Sequence, residues 1–540
     1  MEKLPPELRP EQYASLAEVL DHVSSAHGPL PAFTCFGHSL TYREIDDLSN
    51  RLAGFLRNKL QMNPGDRIAI QLPNLLQFPV VVYAAIKADL VIVTTNPLYT
   101  APEMKHQFRD SGAKAVVVLE AFCDKLESVI ADTDIEHVVI ARLGDLLPEP
   151  KRTLVNLAAK HLRKMIPAYE LLGAHFFREA VGSDPIGTAA TRAGENTALI
   201  LYTGGTTGVA KGAMLTHRNL IANMMQLRSR TSLVMDDQSD TVVAPLPLYH
   251  TYAFQLHLLT MAYAGSHNIL VPNPRDLDAL VKLLRRNTIH GFAGINTLYL
   301  ALLRHPKIGQ VDFSTYRFCG AGGMAMSSSI AEDWQELTGC EILEGYGLTE
   351  CSPVVAVNIP GEVRRGTVGK AVPETELRVV DDEANELPIG SVGELQVRGP
   401  QVMAGYYGRE EATQDSINAD GWFSTGDYVN ISEDGYISIV DRKKDMILVS
   451  GFNVFPNEIE DWVNRHPQVI ESAAIGVPDE RTGEAVKLFV VAGEEAPGPE
   501  DVQSWCRQGL AAYKIPRKIE FVEDLPKSNI GKILRRELRE

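Results

Sequence analysis

The chain has 540 residues, 45% hydrophobic and 22% charged, with a net charge of −17 from 52 basic and 69 acidic side chains. That length excludes a single core and suits three or four structural units, and the composition is that of a globular protein. The acidic balance argues against nucleic acid as the main partner, because phosphate backbones need a basic face; an anionic ligand would need its own cluster of Lys and Arg.

The N-terminal segment to Tyr13 has no apolar h-region, so no signal peptide is expected. Two uncharged stretches are long enough to be weighed as membrane spans. Residues 68–86 hold Gln71, Pro73, Asn74, Gln77 and Pro79, and residues 241–274 hold Pro245, Pro247, His250, His257, His267 and Asn268; both read as buried core. Between them, residues 151–178 set Lys151, Arg152, Lys160, Arg163 and Lys164 among Leu154, Val155, Leu157, Leu162, Met165 and Ile166. Such a basic amphipathic stretch is either a solvated helix face or a surface that lies on anionic lipid. The six Cys form no CxxC pair, which speaks against a zinc site and for reduced thiols in a cytosolic enzyme.

The run Tyr202–Gly212 reads YTGGTTGVAKG. Gly lets a backbone turn its N–H groups towards a ligand, and Thr hydroxyls and a Lys ammonium add donors and charge, the set a polyphosphate needs. It is not a Walker A loop, since Lys211 is followed by Gly212 and the next helix is expected only at Thr216 or His217. Apolar runs ending in Gly loops recur at 241–247, 291–296, 317–323 and 341–347, with helical patterns at Leu220–Leu227, Leu277–Arg286 and Ser328–Thr338. This alternation predicts an α/β fold with ligand loops at strand ends. From about 365 to 440 short strands and turns predict a compact β subdomain. Beyond Asp445 a small α+β unit is expected: helices at 457–466 and 501–510, strands around 472–476, 486–492 and 518–523, and a final basic helix. The charged segment Asp441–Asp445 reads as a hinge or as a solvated turn.

Four further motifs follow in order: GYGLTE at 345–350, STGD at 424–427, DRKKDMILVSGFNVFP at 441–456 and PKSNIGKILRR at 526–536. Together with the Gly/Thr loop they resemble the adenylate-forming superfamily of acyl-CoA synthetases, nearest the bacterial long-chain-fatty-acid–CoA ligases, over roughly residues 30 to 540. The resemblance implies a large N-terminal domain (1–440) of α/β subdomains with a small β-barrel-like subdomain, a hinge (441–445) and a small mobile α+β C-terminal domain (446–540). It implies ATP-dependent activation of a medium- to long-chain fatty acid as the acyl-adenylate, then transfer to coenzyme A, with ATP, Mg²⁺ and CoA as cofactors. Positioning and charge stabilisation would carry most of the catalysis.

By the same resemblance Thr203, Gly204, Gly205, Thr206, Thr207 and Gly208 cradle phosphates with Lys211 nearby. Glu350, beside Thr349, would hold Mg²⁺. The loop with Gly322 and Gly323, with Glu344, Gly345 and Tyr346, would flank adenine, and Asp427 and Arg442 would take the ribose. Lys532 would be the catalytic cation, Lys444 the hinge residue, and Ser450–Gly451–Phe452 the loop that lines the CoA tunnel after domain rotation. His250 would lie near the acyl end, or be a satisfied core residue. Phe254, Leu256, Leu258, Leu259 and Met261 would wall an acyl tunnel.

The expected partners are small molecules, with no nucleic acid, on a monomer or homodimer that is cytoplasmic or peripheral on the inner membrane face. Three alternatives stand beside this, one of them a non-enzymatic ATP-binding protein, which Lys532 and Glu350 in their motifs argue against. The GAGGMA run at 320–325 fits the weak dinucleotide pattern GxGxxA, and a superfamily member could use another acyl substrate or a carrier-protein acceptor.

Overall fold

The computed structural model describes residues 8–187, 194–203, 210–450, 452–479, 481–493, 496–527 and 533–539. Within them two large α/β sheets carry the N-terminal part. The first runs in spatial order Gly405–Tyr406, Lys211–Thr216, Thr197–Thr203, Val91–Thr94, Arg67–Gln71, Ala115–Leu119, His137–Ala141 and His175–Phe176. Its central strands are parallel and read as continuous Val, Ile and Ala because both faces are covered. Val116, Val117 and Val118 are fully buried. The chain turns antiparallel only after Thr203, where Lys211–Thr216 folds back with Thr203 opposite Lys211.

The second sheet centres on Thr241–Ala244, Gly291–Gly294, Phe318–Ala321 and Ile342–Gly347. The first three pair in parallel with their neighbours, and Val354–Val357 then adds antiparallel to Ile342–Gly347. Both uncharged stretches are core: Gln71, Gln255 and Asn268 are fully buried, and no helix of the described residues is long and apolar enough to cross a membrane. The helix expected to begin at Thr216 or His217 begins at His217, where Thr216 and Asn219 form a capping box, and runs to Thr231, past the pattern at 220–227. The helix Ser328–Thr338 ends where Gly339 takes φ 72°.

The expected β subdomain is an antiparallel sheet in the order Glu376–Val380, Val392–Arg398, Phe423–Ile431 and Ile437–Arg442. It begins later than the sequence suggests, since Lys370–Ala371 pairs with Val354–Val357 and so belongs to the second sheet. The C-terminal unit packs the helices Pro456–Val463 and Pro499–Gly509 on a sheet whose long hairpin is Val469–Asp479 with Gly483–Ala492. Its helices are stitched by two tryptophans: Trp462 Nε1 donates to the Trp505 carbonyl (2.9 Å) and Trp505 Nε1 to that of Trp462 (3.0 Å).

Among the described residues the expected final basic helix is absent. Residues 535–538 form one 3₁₀ turn. Ile533 bridges to Lys527, and the Leu534 N–H bonds back to the Pro526 carbonyl at 2.8 Å. The backbone just before the turn is thus tied back to residues 526–527, which leaves too few described residues there to propagate a helix.

Candidate active site

The site gathers at the carboxyl ends of the two sheets, where α/β folds place ligands. Thr203 ends its strand, and its hydroxyl donates to Glu350 Oε1 at 3.3 Å across 147 residues of chain. Glu350 is buried in the short turn Thr349–Cys351 that follows the strand Ile342–Gly347. Tyr406 Oη donates to the same Glu350 oxygen at 2.9 Å, and Lys211 Nζ lies 5.0 Å from the centre of the Tyr406 ring. This cation–π contact and the carboxylate hold one positive and one negative group beside the same ring. Burial first, and the Glu350 charge second, push the Tyr406 phenol well up, so it stays a donor. Thr349 shares a hydroxyl hydrogen bond with Thr251 at 2.9 Å. The residues 204–208 expected to complete this cradle, together with Gly451 and Lys532, lie outside the described residues.

Tyr406 has no counterpart in the motif reading. It arrives through the edge strand Gly405–Tyr406, which sets Tyr406 opposite Ala213 and Gly405 opposite Met214. The available signal was the GYYG run at 405–408, an aromatic pair between glycines.

A second group lies on the β subdomain. Asp427 and Arg442 are cross-strand partners. Asp427 is buried and accepts Tyr346 Oη at 2.6 Å on one oxygen, and Arg442 Nε lies 3.3 Å from the other. The carboxylate, guanidinium and phenol therefore form one polar corner next to the glycine loop. In that loop Gly323 takes φ 80°, and a Cβ at Gly322 would lie 3.3 Å from the Gly345 carbonyl. Glu344 accepts the Met326 N–H at 3.0 Å, which pins the loop's far end. Burial pushes the Glu344 carboxyl up to about 7.

His250 caps the short helix Thr251–Ala253, its Nδ1 accepting the Tyr252 N–H at 3.4 Å. The expected tunnel wall divides. Leu256 and Met261 pack with Val242, Ala293, Phe318 and Leu343, beside Tyr252, whereas Phe254, Leu258 and Leu259 belong to the main core. A π-helical turn, Phe254–Thr260, carries most of them; such turns cluster at functional sites.

Lys444 is half-buried near Asp427, and burial together with Arg442 lowers its ammonium to about 8. Ser450 and Phe452 are both exposed, and Phe452 stacks on Tyr513 at 4.8 Å. Among the described residues no three His, Cys, Asp or Glu side chains form a metal cage. A Mg²⁺ held mainly by water and phosphate, with Glu350 as carboxylate ligand, fits that donor set.

Residues 20–407 match the family model described as AMP-binding enzyme, and residues 458–532 match the AMP-binding enzyme C-terminal domain. The chain is 46% identical over 541 residues to the long-chain-fatty-acid–CoA ligase of Salmonella typhimurium, covering 99% of this chain and 96% of that protein. Among solved structures, anthranilate CoA ligase AuaEII in complex with anthranoyl-AMP superposes with a TM-score of 0.88 at 26% identity, covering 98% of each chain. ATP-bound MatB from Rhodopseudomonas palustris gives 0.84 at 29% identity, covering 97% of this chain and 98% of its own.

Proposed function

The chain belongs to the AMP-binding enzyme family, and on that premise we propose that it joins a fatty acid to coenzyme A through an acyl-adenylate. The fatty carboxylate attacks the α-phosphate of ATP and releases pyrophosphate; the CoA thiol then attacks the acyl carbon and AMP leaves. A carboxylate alone is a poor acyl donor, so phosphoryl activation is the step that makes thioester formation feasible.

The observation that carries this reading is the convergence of Thr203, Lys211, Glu350 and Tyr406 at one sheet end, with Asp427, Arg442 and Tyr346 at the facing corner. The first group supplies the cation and the donors for a polyphosphate. Mg²⁺ bound at Glu350 would neutralise phosphate oxygens. The second group offers a buried carboxylate for a ribose diol. Lys532 is our candidate for the cation between substrate carboxylate and α-phosphate.

We assign a medium- to long-chain substrate and a cytoplasmic site of action. Six free, buried cysteines fit a reducing compartment. Peripheral contact with the membrane is supported by exposed Leu154, Leu157, Leu162, Met165 and Leu172 beside exposed Lys160, Arg163 and Lys164. The deciding assay follows pyrophosphate release and acyl-CoA formation with acetate, octanoate, palmitate and oleate. Both products should appear together and favour the longer acids. Pyrophosphate without thioester would point to another acceptor, and silence with every acid would overturn the reading.

A further inference from the structure

The hinge and the tail meet at one buried ionic cluster. Asp441, fully buried near the end of the strand Ile437–Arg442, accepts the Asn457 N–H at 2.8 Å from the far side of the hinge. Arg535 donates through Nη2 to Asn457 Oδ1 at 2.7 Å and grips Glu460 through Nε (3.1 Å) and Nη2 (2.7 Å). Its Nη1 lies 3.6 Å from Asp445, which Arg539 also reaches at 3.2 Å. Glu460 in turn accepts the Ala474 N–H at 2.7 Å. Burial raises the Asp441 carboxyl to about 6, and Arg535 is the foremost charge opposing that rise.

These groups sit on different bodies. Asp441 is paired into the β subdomain opposite Tyr428, while Asn457, Glu460 and Arg535 belong to the C-terminal unit. A rotation about residues 442–445 would carry Asn457 off Asp441 and leave the buried carboxylate with the Arg442 N–H of its own strand (2.7 Å) but without the Asn457 donor, which is costly. The Arg535–Glu460 pair would travel intact. The orientation seen here leaves Ser450 and Phe452 in solvent, so the loop expected to line a CoA path is not engaged.

We propose that Arg535 is a positioning residue that holds the C-terminal unit across the hinge, by its bond to Asn457, whose N–H Asp441 accepts, and its pairing with Asp445, in the orientation that forms the acyl-adenylate. The inference rests on the two-step reading above. It adds a second role to the tail: three residues beyond Lys532, the same segment clasps the hinge that sets where Lys532 can reach.

The test measures the half-reactions separately on the full chain. Arg535→Gln should lower pyrophosphate release without CoA by about tenfold or more, while thioester formation from supplied acyl-AMP stays within about threefold. Arg535→Lys, which keeps a cation beside Glu460 and Asp445, should recover much of the loss. Asp441→Asn should show the same split, and combining it with Arg535→Gln should add little, because the two act through the shared Asn457.

An equal fall in both half-reactions, a fall confined to thioester formation, or additive effects would overturn the proposal. Should Arg535→Gln not fold, Arg539→Gln serves instead, with a smaller shift in the same direction; an unchanged ratio counts against the clasp. Spin labels on the two bodies give a readout independent of catalysis. Their distance distribution should be narrow in the parent and displaced in Arg535→Gln, and no displacement refutes the clasp even if no acid is activated.

Discussion

Single side chains decide how the site is held. Glu344 carries the far end of the glycine loop through the Met326 N–H, and burial keeps it protonated up to about pH 7 against 4.5 in an unfolded chain. Between those values the folded protein retains a proton that the unfolded chain has released, so stability falls as pH rises through the window. The full difference is on the order of 3 kcal/mol. Glu344→Gln keeps the acceptor and removes the ionisation, so denaturant unfolding of this variant should vary less between pH 4.5 and 7 than that of the parent. Equal slopes would remove Glu344 as the cause. The motifs made Glu350, Asp427 and Arg442 legible, because each sits in a short run whose local chemistry is distinctive. Tyr406 was not legible, because its bond to Glu350 forms across 56 residues and depends on an edge strand only two residues long.

At the scale of elements, strand ends and Gly loops were readable from apolar runs that stop at glycine, and the helix at Ser328–Thr338 matched its pattern to the residue. The tail was misread because its basic composition says nothing about where backbone donors go; a bridge from Ile533 to Lys527 claims them first. The basic stretch after Lys151 is helical only to Leu157, continues as a wider turn to Leu162, and leaves Leu162 and Leu172 79% and 90% exposed. Apolar side chains so exposed beside three cations favour contact with an anionic bilayer over a merely solvated face. Each cation near such a surface contributes about 1 kcal/mol, so replacing Lys160, Arg163 and Lys164 with Ala should weaken binding to anionic vesicles on the order of a hundredfold. Cosedimentation decides it, and equal pelleting of both proteins would dispose of the contact.

For the whole molecule, the sequence pointed to an α/β fold with a β subdomain and a small α+β unit, because strand–Gly loop–helix runs give way near residue 365 to short strands and turns and after Asp445 to a mixed unit. It did not reveal the cluster around Arg535, because ion pairs that join a hinge to a tail 94 residues away leave no local pattern. Lys444, the residue we propose as the pivot, lies between Lys443, bound to Glu394 at 3.0 Å, and Asp445, bound to Arg539. Fixing its φ with proline should spare adenylation and slow thioester formation by about tenfold, because only the second step requires the C-terminal unit to turn. Rates unchanged in both steps would show that the pivot lies elsewhere.

The paired indoles of the small unit have a use beyond packing. Trp462 and Trp505 are two of the chain's four tryptophans, and each offers its ring N–H to the other's carbonyl. Loosening that unit alone would release both rings to solvent while Trp334 stays fully enclosed. Intrinsic emission is thus a ready gauge of whether the small unit melts before the body it is tethered to.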